Sequence, residues 1–251
     1  MVTAAGQRSG CGPNILPGVS AAGAAEVVWR HPGNLAVKQR NEPARFGIVV
    51  YAGVEPIDLG ATAGVISMAR RVLPAIECVI IAAEAGTVEL AGGVSVIAAA
   101  GFDTCPVCDI YIVCGGPGWE QQALDRAMLT FLRRLPVGSV ASVCTGGLIL
   151  AAAGLLGGRR ATTRRHPVGT EASAPLARLV QICSSVRPIA AAVCDDRGVV
   201  TSGGVSLAID GTLYLIGCLY GREAQDEVAR LIEYDRSFEA NRAALGHAIA
   251  R

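Results

Sequence analysis

The sequence predicts an α/β protein built on a mostly parallel sheet with helices on both faces. Three observations carry this expectation. Short apolar, β-rich runs alternate with helical patterns over residues 45–236, the signature of strands buried on both sides and linked by crossover helices. In residues 139–156 (SVASVCTGGLILAAAGLL) a short β-rich run meets one cysteine, Cys144, and then an apolar helix. Of the 251 residues, 51% are hydrophobic, enough for a sizeable core in one large domain or two small ones.

The elements follow in order. Residues 1–44 are rich in Gly, Ala, Pro and Asn, lack a clear period and read as a flexible N-terminal extension. Residues 45–51 (RFGIVVY) form a buried strand, 58–73 a helix and 76–83 a strand. Residues 87–98 read as a hairpin turning at Gly92-Gly93. A third buried strand, 109–114, runs into Gly115-Gly116-Pro117-Gly118, and 120–134 is an amphipathic helix. Strand 139–143 and helix 145–156 follow, then a short strand at 160–162 and a partly helical stretch at 167–180. Residues 182–187 and 190–194 read as strands, with a turn at Asp195-Asp196-Arg197-Gly198 before strand 199–202. Helices at 205–220 and 223–234 close the pattern, and 243–251 is a C-terminal tail.

Net charge is +1, which argues against a dedicated nucleic-acid or acidic-substrate binder. No apolar run is long enough for a membrane span, and the N-terminus lacks a compact apolar segment, so a cytoplasmic protein is expected. The nine cysteines are an odd set scattered through apolar segments, as inert core thiols in a reducing compartment would be. Cys105 and Cys108 have CxxC spacing, but no second pair exists to complete a metal site. No Walker loop or GxGxxG element follows a strand, so no nucleotide cofactor is signalled.

Ligands in such sheets bind outside the carboxyl ends of strands. Cys144 and the Gly115–Gly118 loop both follow strand ends. A thiol at a strand–helix bend lies at a helix N-terminus, where the dipole and free N–H groups favour a thiolate. A buried core cysteine is the alternative. The glycine loop lets backbone N–H groups approach a ligand closely, or is a plain tight turn. Asp58 follows the first strand and opens a helix, as an acid facing the site or as a helix N-cap. Of His31, His166 and His247, only His166 is placed to reach the rim for a Cys–His pair. Arg159, Arg160, Arg164 and Arg165 form a basic cluster that reads as a solvated face.

The motifs carry a resemblance. Pro56-Ile57-Asp58-Leu59, Val113-Cys114-Gly115-Gly116-Pro117-Gly118 and Ser142-Val143-Cys144-Thr145-Gly146-Gly147 resemble the ThiJ/PfpI superfamily, the class I glutamine amidotransferase-like group. Gly158-Arg159-Arg160-Ala161-Thr162-Thr163, Thr201-Ser202-Gly203-Gly204-Val205 and Glu233-Tyr234-Asp235 continue it over residues 45–242. Within the group the chain is most similar to isonitrile (isocyanide) hydratases and to the related domain of AraC-type regulators. The resemblance implies a flavodoxin-like three-layer sandwich, usually a homodimer, with a nucleophile elbow.

Cys144 matches the nucleophile. Asp58 matches the acid beside it, which orients water or shuttles a proton. Thr145 stands where peptidase-like members have His, which counts against peptidase activity. The resemblance places the backbone N–H groups of Gly116 and Thr145, beside Gly115, toward developing negative charge. Val205, after Gly204, lines the pocket. Arg164 follows Thr162-Thr163 where many relatives have His, and Gly60-Ala61-Thr62 replaces the hydratases' Thr-Gly-Pro.

The implied activity is that of a lyase acting on a small molecule, with covalent catalysis that needs no metal or cofactor. The alternatives are a non-catalytic regulatory module, a glyoxalase- or deglycase-like enzyme, and a redox sensor at Cys144. The regulatory reading is expected to need a helix-turn-helix reader, for which the residues up to Arg251 leave no room.

Overall fold

The computed structural model describes residues 37–250, so most of the extension expected at 1–44 lies outside the described residues. Residues 37–43 are anchored on the domain. The Lys38 amide donates to the Leu219 carbonyl at 2.7 Å, and its ammonium pairs with Asp109 at 2.9 Å.

The strands are β1 (Ala44–Val49), β2 (Ile76–Ala82), β3 (Gly86–Glu89), β4 (Ser95–Ala98), β5 (Ala100–Gly101) and β6 (Ile110–Val113). They continue with β7 (Val140–Ser142), β8 (Arg160–Ala161), β9 (Arg187–Pro188), β10 (Val193–Asp196), β11 (Val199–Ser202) and β12 (His247–Ala250). The helices are α1 (Pro56–Ala69), α2 (Trp119–Gln122), α3 (Arg126–Arg134), α4 (Gly146–Ala152) and α5 (Pro175–Ile182), then α6 (Leu207–Tyr220), α7 (Arg222–Leu231) and α8 (Asp235–Leu245).

Eight strands form the central sheet in the order β12-β10-β11-β7-β6-β1-β2-β5. All neighbours pair in parallel except β10 with β11. Helices α1, α6, α7 and α8 pack together over one face, and α2, α3, α4 and α5 over the other. This is the mostly parallel α/β sandwich that the alternation predicts. Every residue of β6, β7 and β11 is buried, as expected of strands covered on both sides.

Register decides where the site falls. Val49 of β1 lies beside Val113 of β6, Val113 beside Ser142 of β7, and Ser142 beside Thr201 of β11. These four strands are adjacent and end at one level. The loops that leave them therefore meet at one rim, across the point where the chain turns from β1 outward to β2 on one side and to β6 on the other.

Several elements differ from the sequence reading. The helix expected over 120–134 is two helices, because the Asp125 side chain accepts the Met128 amide at 2.7 Å and starts α3 afresh. Residues 182–187 are not a strand. Ile182 ends α5, and a turn leads into the two-residue β9. Asp195 and Asp196 belong to β10, so the turn is confined to Arg197-Gly198. The tail expected at 243–251 contributes β12, which pairs in parallel with β10 at the sheet edge. The hairpin over 87–98 is present as β3 and β4. Among the described residues, no helix is long and apolar enough to cross a membrane.

Candidate active site

Cys144 follows β7 with φ at 51°. A non-glycine residue in this region costs about 1–3 kcal/mol and persists only where its surroundings enforce it. Here the enforcement is specific. The Cys144 amide donates to the Gly203 carbonyl at 3.1 Å, and the Cys144 carbonyl accepts the Thr163 hydroxyl at 2.6 Å. Val205, a β-branched residue, is strained in the same way, with φ at 55°. The backbone amides of Val205 and Thr145 stand beside the Cys144 sulfur, where they favour its charged form. Two strained positions thus face each other across the sulfur, one holding it and the other supplying a donor.

The thiol differs from the sequence expectation. Burial pushes Cys144 up to about 12, and the neighbouring Asp58 carboxyl adds to the rise. The Val205 and Thr145 amides and the Arg164 guanidinium pull it down by less. Helix α4 is only seven residues long, so its dipole is a weak counterweight to desolvation. Burial thus favours the neutral thiol over the thiolate.

Asp58 is 0% exposed. Helix α1 starts at Pro56 and Glu55 occupies the N-cap position, so Asp58 is not a cap. Its Oδ2 instead accepts the Gly115 amide at 2.9 Å from the loop after β6. Its Oδ1 has no aligned hydrogen-bond partner among the described residues. Burial raises Asp58 to about 7, against the pull of the Gly115 amide and the Cys144 thiol. A carboxyl that titrates near neutrality beside a neutral thiol suits proton transfer at physiological pH.

The glycine loop locks this arrangement. A Cβ on Gly115 would stand 2.4 Å from the Thr145 amide nitrogen and 2.9 Å from Asp58 Oδ2. Gly116 has φ at 148°, and its Cβ would stand 2.3 Å from the Gly53 carbonyl oxygen. The Gly116 amide donates to Thr145 Oγ1 at 2.8 Å. It is thereby consumed, which corrects the expectation that Gly116 faces developing charge. The Val205 and Thr145 amides instead lie against the sulfur. Gly115→Ala is expected to cost about 1–3 kcal/mol of stability, as overpacking does. Activity should fall further, because the collision falls on Asp58 and Thr145. Thermal melting and turnover on one preparation check both.

A cavity of about 340 Å³ opens over the sulfur, lined mainly by apolar surface from Ile57, Pro117, Trp119, Val168 and Val205. Gly116, Cys144 and Thr145 form its floor, and Glu55, Arg164 and Glu171 supply its charge. The structure thus brings Cys144, Asp58, Thr145, Gly115, Gly116, Gly204 and Val205 together. Gly204 serves packing: a Cβ there would meet Arg164 Cγ at 2.7 Å. His166 is exposed and does not line the cavity, so it makes no pair with Cys144. His247 lies between the Tyr214 and Phe238 rings on β12, and His31 is outside the described residues. Arg159 and Arg160 clasp Asp196 rather than forming an open basic face. The sequence reading named Thr163, Gly203 and Arg164 through the motifs but missed Val168 and Glu171, which join Arg164 on one side of the cavity.

An α/β sandwich with a strained cysteine after a central strand and a buried acid on the first helix defines a class of protein. The chain belongs to the DJ-1/PfpI family, whose sequence pattern matches residues 44–216. Isonitrile hydratase of Pseudomonas putida is 30% identical over 192 residues, which is 76% of this chain and 78% of that protein. The HTH-type transcriptional regulator GbdR of Pseudomonas aeruginosa is 32% identical over 151 residues, or 57% of this chain and 37% of the regulator. The crystal structure of a ThiJ/PfpI family protein from Pseudomonas syringae matches with a TM-score of 0.66 at 26% identity, covering 78% of this chain and 76% of that one. The family resemblance and the flavodoxin-like fold expected from the motifs are borne out.

Proposed function

We propose that this chain is an isonitrile hydratase-like lyase that converts isonitriles to N-substituted formamides. The pairing of a buried Cys144 thiol with an Asp58 carboxyl near neutrality, under an apolar cavity, carries the reading. The similarity to isonitrile hydratase over three quarters of the chain supports it.

The chemistry follows from the site. Asp58 takes the Cys144 proton as the sulfur attacks the terminal carbon of R–N≡C. The new S–C bond and the return of that proton to the carbon give a thioimidate, R–N=CH–S. Water then adds to the same carbon, with Asp58 accepting one of its protons and the nitrogen gaining the other. The C–S bond breaks, R–NH–CHO leaves, and Asp58 returns its proton to the sulfur. The covalent step divides one high barrier into two lower ones without a cofactor. The amides of Val205 and Thr145 offset charge on the sulfur as it attacks and leaves.

The purified protein, mixed with an alkyl or aryl isonitrile, is expected to release the matching formamide, read by mass spectrometry. Isonitrile that binds without being consumed would support a second reading, a sensory domain, which the similarity to GbdR favours.

A further inference from the structure

The wall of the cavity opposite Asp58 is built from charged residues that the reaction above does not use. Arg164 occupies the first position after the Thr162-Thr163 pair that helps hold the Cys144 elbow. Its backbone is fixed, with its carbonyl accepting the Leu176 amide at 3.0 Å. Its stem lies against Gly204, where any Cβ would collide with it. Only the guanidinium end is free to choose partners. Nη1 donates to the His166 carbonyl at 2.6 Å, and Nη2 pairs with Glu171 Oε1. The other oxygen of Glu171 accepts the Val168 amide at 3.0 Å. The loop is thereby drawn into a strap, and Arg164, Val168 and Glu171 all line the cavity.

The charge balance of this wall is one-sided. Among the described residues that line it, Arg164 is the one cation, against Glu55 and Glu171; Arg178, stacked on the Trp119 ring at 4.5 Å, is paired with Glu120. The Arg164 side chain is only 12% exposed, and its charge is committed to Glu171. An anionic group entering the cavity would find no uncommitted cation and would face Glu55. A neutral group would meet Ile57, Pro117, Trp119 and Val205 at no electrostatic cost.

We propose that Glu171 is a specificity-determining residue: by holding the Arg164 guanidinium, it makes the Cys144 cavity select uncharged, apolar substrates over those carrying a carboxylate. This deepens the proposed function by naming its substrate class. It needs only that the cavity be the way in to Cys144, so it is testable without turnover. In Glu171→Gln the amide oxygen still accepts from Val168, but the negative charge that faces Arg164 is gone.

Iodoacetamide and iodoacetate alkylate thiols by the same displacement of iodide and differ mainly in charge. Their rates at Cys144 are read by peptide mass spectrometry on the full chain, with the exposed Cys78 as an internal control. The expected result is an iodoacetate-to-iodoacetamide rate ratio at Cys144 that rises about tenfold in Glu171→Gln, as one released charge within a few ångströms predicts. The ratio at Cys78 should not move. In Arg164→Gln, where Glu171 is left unopposed, the Cys144 ratio should fall below that of the wild type. An unchanged Cys144 ratio in Glu171→Gln overturns the proposal, and this comparison decides even if Arg164→Gln does not fold. A protein that hydrates isonitriles with a flat ratio sinks the charge filter alone. A shifted ratio without hydration sinks the hydratase reading alone.

Discussion

Cys144→Ala is expected to lower isonitrile turnover by about 10⁶-fold, as removal of a covalent nucleophile does elsewhere. The fold should survive. Alanine keeps the backbone at φ 51° and retains the bond to the Gly203 carbonyl and the bond from the Thr163 hydroxyl, which involve only the main chain of residue 144. Cys144→Gly gives a complementary result. It removes the same thiol and relieves the left-handed strain, so it should melt at a higher temperature than Cys144→Ala by an amount corresponding to about 1 kcal/mol. Thermal melts of the two variants side by side measure the strain held at the elbow. Equal melting temperatures would mean that the elbow stores none.

Asp58→Asn should lower activity by less than Cys144→Ala does, and should raise stability above neutral pH. The asparagine oxygen still accepts the Gly115 amide, so the geometry is kept. It takes no proton from Cys144, and kcat should drop by about 10²–10⁴-fold. With burial holding Asp58 at about 7, wild-type kcat/KM should rise with pH through that value, because only the carboxylate serves as base.

The stability effect has the opposite sign from an ion-paired carboxylate. The folded pKa lies above the unfolded one, so the folded state binds more protons between about pH 4 and 7. The wild type therefore loses stability as pH rises through that window, and the full cost remains above it. Asp58→Asn should melt higher than the wild type at pH 8 and show no such advantage at pH 4. A gain that is equal at both pH values would mean that ionisation of Asp58 is not what destabilises the wild type.

Much of this site was legible in the sequence because it is built at strand ends. The runs that became β1, β6, β7 and β11 are short, apolar and bounded by glycine. The residues just beyond them, Asp58, Gly115, Cys144 and Val205, fall at one rim once the sheet is parallel. Other elements had no local signal. Strand β12 is four residues long with alanine at two positions, and only its pairing with β10 makes it a strand. Residues 182–187 look β-rich, yet α5 extends to Ile182 and the chain must turn before β9. The ionisation of Cys144 cannot be read locally, for a physical reason. A strand–helix bend signals a dipole that favours the thiolate, whereas the desolvation that outweighs it depends on α1, the glycine loop and the Val205 turn closing around the sulfur. The strap from Arg164 to Glu171 is hidden likewise, since a separation of seven positions along irregular chain carries no period that brings the two together.

The most direct measurement is peptide-resolved mass spectrometry of Cys144 after rapid acid quench of the wild type with excess isonitrile. The account predicts a thioimidate adduct on the Cys144 peptide, with the mass of one isonitrile added. It should form before formamide appears and decay as formamide accumulates. Formamide produced at the wild-type rate with Cys144 unmodified throughout, or by Cys144→Ala, would contradict it.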